Sequence, residues 1–244
     1  MIWPEVRACA VAIVAVLAAC PADRPGAERA EKARERLQEL VPVEFELPKP
    51  GVHNDSEIWA IRALKPSVHR ESIPHRAMPH PPLLAPKGTR NVVLKKPVTS
   101  SDNAPLIGEL AQVTDGDKRC SLGSCVELAH GPQWVQIDLQ GKYDIHAILF
   151  WHWFEAPRYY HDVVVEVADD PKFAANVRTV FNNDYDNSLG RGKGSQLEYP
   201  ELPEGKLISC KGITARYVRL YSRGNVINLC NHYIEVEVHG TPAQ

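Results

Sequence analysis

The stretch WVQIDL, residues 134–139, decides the fold class: Val135, Ile137 and Leu139 alternate with polar partners. Successive side chains of a strand point to opposite faces, so a period of two marks a strand with one face on a core. The same period returns in DVVVEVA at 162–168 through Val163, Val165 and Val167, in RYVRLY at 216–221 and in IEVEV at 234–238. Clusters of Pro, Gly, Asn and Asp separate these segments. From Asn91 onward helical periodicity is almost absent. Short strands with turn signals and no intervening helices predict an all-β sandwich or barrel of about 150 residues, ending near Gly240.

Upstream of Asn91 the texture differs. Residues 41–90 hold nine prolines and four histidines (His53, His69, His75, His80) without sustained periodicity, which predicts a mostly extended linker with solvated histidines. Residues 27–40, AERAEKARERLQEL, are charged almost all round and have little apolar stripe to bury, so they read as a solvated spacer helix. The apolar run from Ala8 to Ala19 is too short to span a bilayer and reads as a secretory signal peptide over residues 1–19. LAAC, Leu17 to Cys20, resembles the lipobox of bacterial lipoproteins, which implies lipidation at Cys20 and a chain anchored to a membrane, periplasmic or at the cell surface. Residues 20–90 would then be tether, helix and linker.

Composition excludes some partners. A net charge of −2 with no long basic run gives no electrostatic footprint for nucleic acid. With Cys9 in the leader and Cys20 the lipidation candidate, four cysteines remain (Cys120, Cys125, Cys210, Cys230), and none has CxxC spacing or a histidine pattern that suggests zinc. In an exported chain they are expected to form structural disulfides, and three pairings are open.

The sequence VTDGDKRC, residues 113–120, sets Asp115 and Asp117 on either side of a glycine. That is either a polar turn or part of an oxygen cage for a hard cation. A second acidic loop, FNNDYDNSLGRGKG at 181–194, spaces Asp184, Asp186 and Ser188 as an EF-hand does. However, Leu189 and Ser195 stand where the EF-hand glycine and terminal glutamate would be, so a calcium site there is the lesser reading.

Taken in order, NVVLKKPVTSS (91–101), VTDGD (113–117), QWVQIDLQGKYDIHAI (133–148), RYYHDVVVEVADD (158–170), ARYVRLY (215–221) and IEVEVHG (234–240) resemble the discoidin, or coagulation-factor type C, domain. The resemblance covers essentially all of 91–240 and implies a galactose-binding-like jelly-roll sandwich, here preceded by a short helix and a Pro-rich linker. It also implies a structural Ca²⁺, with Asp115, Asp117 and Glu235 at the matching positions. Animal members usually join their ends by a disulfide. No cysteine lies near Asn91 or His239 here, so closure is expected from strand pairing.

The resemblance further implies a glycan site in the loop WHWFEAPRYYH, 151–161, where His152, Trp153 and Arg158 match positions that supply histidine, aromatic and arginine contacts. Asn225 and His232 would approach from 222–232. Aromatic faces beside fixed donors and acceptors suit the C–H faces and hydroxyl edges of sugars. No GxSxG elbow, HExxH or phosphate loop is present, and Glu155, Asp162 and Glu198 are the carboxylates that could meet for sugar hydrolysis. The expectation is a non-catalytic module that recognises glycan or cell-surface polysaccharide, with a scaffolding lipoprotein that docks a protein partner as the alternative.

Overall fold

The computed structural model describes residues 40–48, 80–156 and 158–243. The signal peptide, Cys20, nearly all of the spacer helix and most of the linker lie outside the described residues. Strand β1 (Leu40–Pro42) pairs antiparallel with β2 (Leu84–Pro86), forming a small unit of its own with residues 84–87. The two ends of the expected linker are thus extended, as their proline content predicts, but they are also paired with each other.

The larger unit is all-β and antiparallel. Its strands are β3 (Arg90–Asn91), β4 (Val98–Ser100), β5 (Val126–Leu128), β6 (Gln133–Trp151), β7 (Val164–Ala168), β8 (Arg178–Asn182), β9 (Lys206–Ser222), β10 (Asn231–Tyr233) and β11 (Glu235–Pro242). The principal sheet runs β3-β11-β6-β9-β7-β8, with β4 also on β6, and a separate pair joins β5 to β10. Strands β6 and β9 are 19 and 17 residues long and pair along their lengths, with register slips between Asp138 and Tyr143 and between Ile145 and Ala147. Such slips bend and twist a strand. The first half of β6 carries β4 on one side and the second half of β9 on the other, which in turn pairs β7. The second half of β6 carries β11 and the first half of β9. The sheet thereby folds over a single core.

That core is built from the residues the alternation marked. Val135, Ile137, Leu139, Val165 and Val167 have no exposed surface and Val163 is 1% exposed, each contributing about 1.5–3 kcal/mol by leaving water. The opposite faces are covered too. Glu166, 2% exposed, is gripped by Arg191 through Nε at 3.1 Å and Nη2 at 2.5 Å, and Arg219 lies between the rings of Trp134 (4.3 Å) and Phe173 (4.0 Å). The chain ends close by pairing Asn91 with His239 and Arg90 with Gly240, as the missing terminal cysteines required.

The cysteines depart from expectation. Cys120, Cys125, Cys210 and Cys230 are all free thiols. Cys210 is in the main core, whereas Cys120 and Cys125 belong to a second cluster around Trp151. Cys120 Sγ accepts the N–H groups of Phe154 and Glu155, both at 3.1 Å, so it holds the 153–155 turn as a hydrogen-bond acceptor. Burial pushes the thiols of Cys120 and Cys125 up to about 11 and about 12.

Candidate functional site

The loop that follows β6 begins on a fixed anchor: Trp151 is fully buried and its indole N–H donates to Pro203 O at 2.8 Å. His152 is also fully buried. Its Nδ1 is 2.6 Å from Glu201 Oε1, and its ring stacks on Tyr160 with centroids 4.2 Å apart. The Tyr160 hydroxyl is 2.7 Å from His232 Nδ1, and His232 Nε2 is 3.4 Å from Glu127 Oε2, across the β5–β10 register. Burial holds His232 down to about 4, against the opposing pull of Glu127, while Arg158 and His152 add to the lowering. Burial also raises Tyr160 well above the ordinary phenol range. The phenol therefore keeps its proton and donates to a neutral imidazole whose Nε2–H faces the Glu127 carboxylate.

The five expected ligand residues thus separate by what they have left to offer. His152 reaches no solvent. His232 has both ring nitrogens engaged. Asn225 is 3% exposed; its Nδ2 donates to Asn228 Oδ1 and Cys230 O, and its Oδ1 accepts from Ile227 N and Asn228 N. Its amide is spent shaping the 222–232 loop, where Gly224 at φ +74° has no room for a Cβ, which would lie 2.8 Å from Leu229 O. Trp153 remains half-buried, its ring 6.1 Å from His232 and 6.0 Å from the Arg158 guanidinium carbon. Arg158 is 7% exposed and its Nε donates to Ala156 O at 3.2 Å. No carboxylate among the described residues pairs with it. The structure therefore brings His152, Trp153, Arg158 and His232 together around Tyr160, with Asn225 joined through a backbone bridge to Tyr160, and leaves Trp153 and Arg158 with free capacity.

The 113–122 loop meets the start of β11. Gly116, at φ +91°, donates its N–H to Glu235 Oε2 at 3.0 Å. Glu235 is fully buried and its Oε1 has no hydrogen-bond partner. Burial pushes its carboxyl up to about 8, and the nearby charge of Asp115 adds to the rise. Glu237, two residues on, is also desolvated, but hydrogen bonds from His239 and Lys118 hold it below the usual range. Asp115 Oδ1 accepts from Asp117 N at 2.7 Å, and the Asp117 carboxylate is taken by Arg119. The side chains of Asp115, Asp117 and Glu235 do not converge as a mutual cluster, so a cage here needs carbonyl oxygens of the loop beside Glu235 and Asp115.

In the second acidic loop the ligand atoms of Asp162, Asp184 and Asp186 lie within 4.8 Å of one another. Several of their oxygens accept hydrogen bonds from the loop itself: Asp184 from Ser188 N and Leu189 N at 2.9 Å each, and Asp162 from Ser188 Oγ at 2.8 Å. This cluster closes a turn. The three carboxylates considered for hydrolysis are dispersed. Glu155 lines a cleft of about 520 Å³ beside Gly116 and Cys120, Asp162 lines another of about 470 Å³ with Tyr185 and Arg223, and Glu198 is buried.

The partners that sequence reading missed are Tyr160, Glu201 and Glu127. Glu201 is 49 residues from His152, and Glu127 is set opposite His232 only by the β5–β10 register. Neither relation leaves a local pattern.

No family model matches this sequence, and no curated protein matches it. Solved structures with a similar fold include a family 89 glycoside hydrolase from Clostridium perfringens, at 15% identity and TM-score 0.47. The match covers 63% of this chain and 15% of that one, so the chain spans a small part of the hydrolase. A chitosan-binding module of a chitosanase/glucanase from Paenibacillus sp. IK-5 is similar at 21% identity and TM-score 0.46, covering 62% of this chain and 99% of the module. A fucose-binding module from Streptococcus pneumoniae is similar at 19% identity and TM-score 0.44, covering 63% and 96%.

Proposed function

We propose that the protein is a non-catalytic glycan-binding module, anchored to a membrane through a lipid on Cys20 and stabilised by calcium. The observation that carries the binding reading is the pair Trp153 and Arg158, an aromatic face beside a guanidinium with free donors, on a loop held from beneath by Trp151 and the His152–Tyr160–His232 stack. A sugar needs such a pairing of a stacking surface with fixed donors. Loop side chains with committed hydrogen bonds keep that surface preorganised, which limits the ordering cost of binding.

Calcium fits the orphaned Glu235 Oε1, an unpaired buried oxygen that a hard cation would satisfy. Glu235 and Asp115, with carbonyl groups of the 113–122 loop, would hold it; Asp117 would add its carboxylate on leaving Arg119. The ion would supply positive charge at the base of the loop. The lipid anchor is supported by LAAC following the apolar run 8–19. Cys20→Ala should move the protein from the detergent phase to the aqueous phase of a partition experiment. A wild type already in the aqueous phase removes the anchor.

The test of binding is a glycan array probed with the whole chain, with and without chelator. Saturable binding to one glycan class supports the reading. The scaffolding alternative draws on Leu106, Leu122, Ile227 and Leu229, 52–63% exposed on the loops flanking the β5–β10 pair, which suit an apolar protein surface. A blank array beside a specific protein partner replaces the first reading with the second.

A further inference from the structure

The hydroxyls of a neutral sugar would use Arg158 as a donor and leave its charge unpaired. Its side chain is more than nine-tenths buried, yet its one hydrogen bond among the described residues is from Nε to the Ala156 carbonyl. Elsewhere in this fold a buried or half-buried arginine has a clear electrostatic or aromatic partner. Arg191 grips Glu166, Arg216 grips Asp138 at 2.8 and 2.9 Å, and Arg219 lies between two rings with Gln136 beneath it. Arg158 has a single ring, Trp153, at 6.0 Å.

The neighbouring acids each face another group, although Glu201 Oε2 has no hydrogen-bond partner. Glu127 faces His232, and the Cys230 thiol also lies against it. Glu201 faces His152. A guanidinium with so little of its surface in water and no counter-charge is costly, and its planar fork matches a carboxylate in two parallel hydrogen bonds.

We infer that the ligand carries an anionic group, a carboxylate or a sulfate on a saccharide, which pairs with Arg158 while a sugar face lies on Trp153. This rests on the glycan-binding reading above and narrows it to acidic glycans. Two features of the surroundings favour it. His232 is neutral, with Nδ1 on the Tyr160 hydroxyl and Nε2 3.4 Å from Glu127 Oε2, so it neither repels nor neutralises the ligand's charge. Tyr160 keeps its proton and adds no negative charge. Arg158 is therefore the positive group left to meet an anion at this end of the loop.

The test uses the whole chain on an array that carries neutral, uronate- or sialate-containing and sulfated glycans, with dissociation constants measured for each class that binds. The inference expects acidic glycans at least tenfold tighter than their neutral counterparts. It also expects that advantage to vanish on methyl esterification of the carboxylate, or on desulfation if sulfate is the group read. Arg158→Gln should remove the advantage and leave residual stacking affinity. Arg158→Lys, which keeps the charge without the fork, should retain part of it for sulfate and less for carboxylate. If Arg158→Gln does not fold, the esterified and desulfated ligands still decide the matter on the wild type. Neutral glycans bound as tightly as acidic ones overturn the inference and leave the glycan-binding reading standing. No binding in any class overturns both.

Discussion

Two loops are built over buried ionisable side chains of opposite kind, an acid and a base. At the base of the 113–122 loop, Glu235 is a fully buried carboxylate with one oxygen unpaired; in the 151–161 loop, Arg158 is a 7% exposed guanidinium with no carboxylate. The contrast with their neighbours is instructive. Glu237 shares β11 with Glu235 but has Lys118 at 2.6 Å and His239 at 2.9 Å, and its carboxyl stays low. The two glutamates differ in their protein partners, since one has two basic side chains and the other a single backbone N–H. On the function proposed above, the first loop would hold a cation and the second an anion.

The largest expected effect lies at Glu235. In the ion-free chain its carboxyl keeps a proton up to about pH 8, whereas an unfolded glutamate loses its proton near about pH 4.3. The folded state therefore binds the extra proton. The stability this provides is complete below the unfolded value and is lost as pH rises toward 8, by at most about 1.4 kcal/mol per unit. In chelator, thermal or denaturant unfolding should show that decline between pH 5 and 8. Calcium at a hundredfold excess over its Kd should restore about 2.7 kcal/mol at the upper end. Glu235→Gln keeps an acceptor for Gly116 N–H, so it should abolish both the decline and the calcium response. A wild type whose ion-free stability is flat over this range would break the comparison on its first side.

A smaller effect belongs to the second loop. Trp153→Ala should weaken glycan binding by about tenfold or more, or about 1.4 kcal/mol, because the stacking face is lost. Trp153→Phe, which keeps an aromatic face, should retain most of it. Both variants should unfold within a few degrees of wild type, since Trp153 lies at the rim of the cluster that Trp151 centres. Unchanged affinity in Trp153→Ala takes this residue out of the site and leaves Arg158 to be explained by other means.

How much of this was legible in the sequence follows from the range of each signal. The alternation in 134–139 and 162–168 is local, and the structure buries those residues, because a period of two leaves a strand little choice of face. What the alternation could not show is that its polar side would also be covered, since Arg191 reaches Glu166 from 25 residues away. Glu235 is marked by the resemblance to the discoidin domain, but that one of its oxygens takes the Gly116 N–H from 119 residues earlier and the other has no hydrogen-bond partner leaves no local signal. His152, Asn225 and His232 follow from position in the resemblance and from residue type, which say what a side chain can bond and not how deeply the fold buries it. The same blindness lets four cysteines in a chain expected to be exported read as disulfides, whereas all four are free thiols.

The smallest effect on stability tests the first loop most selectively. Arg119 holds the Asp117 carboxylate with Nε at 2.9 Å from Oδ1 and Nη2 at 2.6 Å from Oδ2, but its side chain is 84% exposed. Ion pairs in water gain little, because solvent screens the charges and two side chains lose freedom to hold them. Arg119→Ala should therefore leave the ion-free melting temperature unchanged. Its consequence appears with calcium: once Asp117 is released from the guanidinium, its carboxylate can turn to the ion beside Asp115 and Glu235, and calcium should bind more tightly than to the wild type. A calorimetric titration of both proteins reads this directly. Unaltered calcium affinity in Arg119→Ala, with the response still abolished in Glu235→Gln, would show that Asp117 serves the loop through its backbone alone and that Glu235 carries the site.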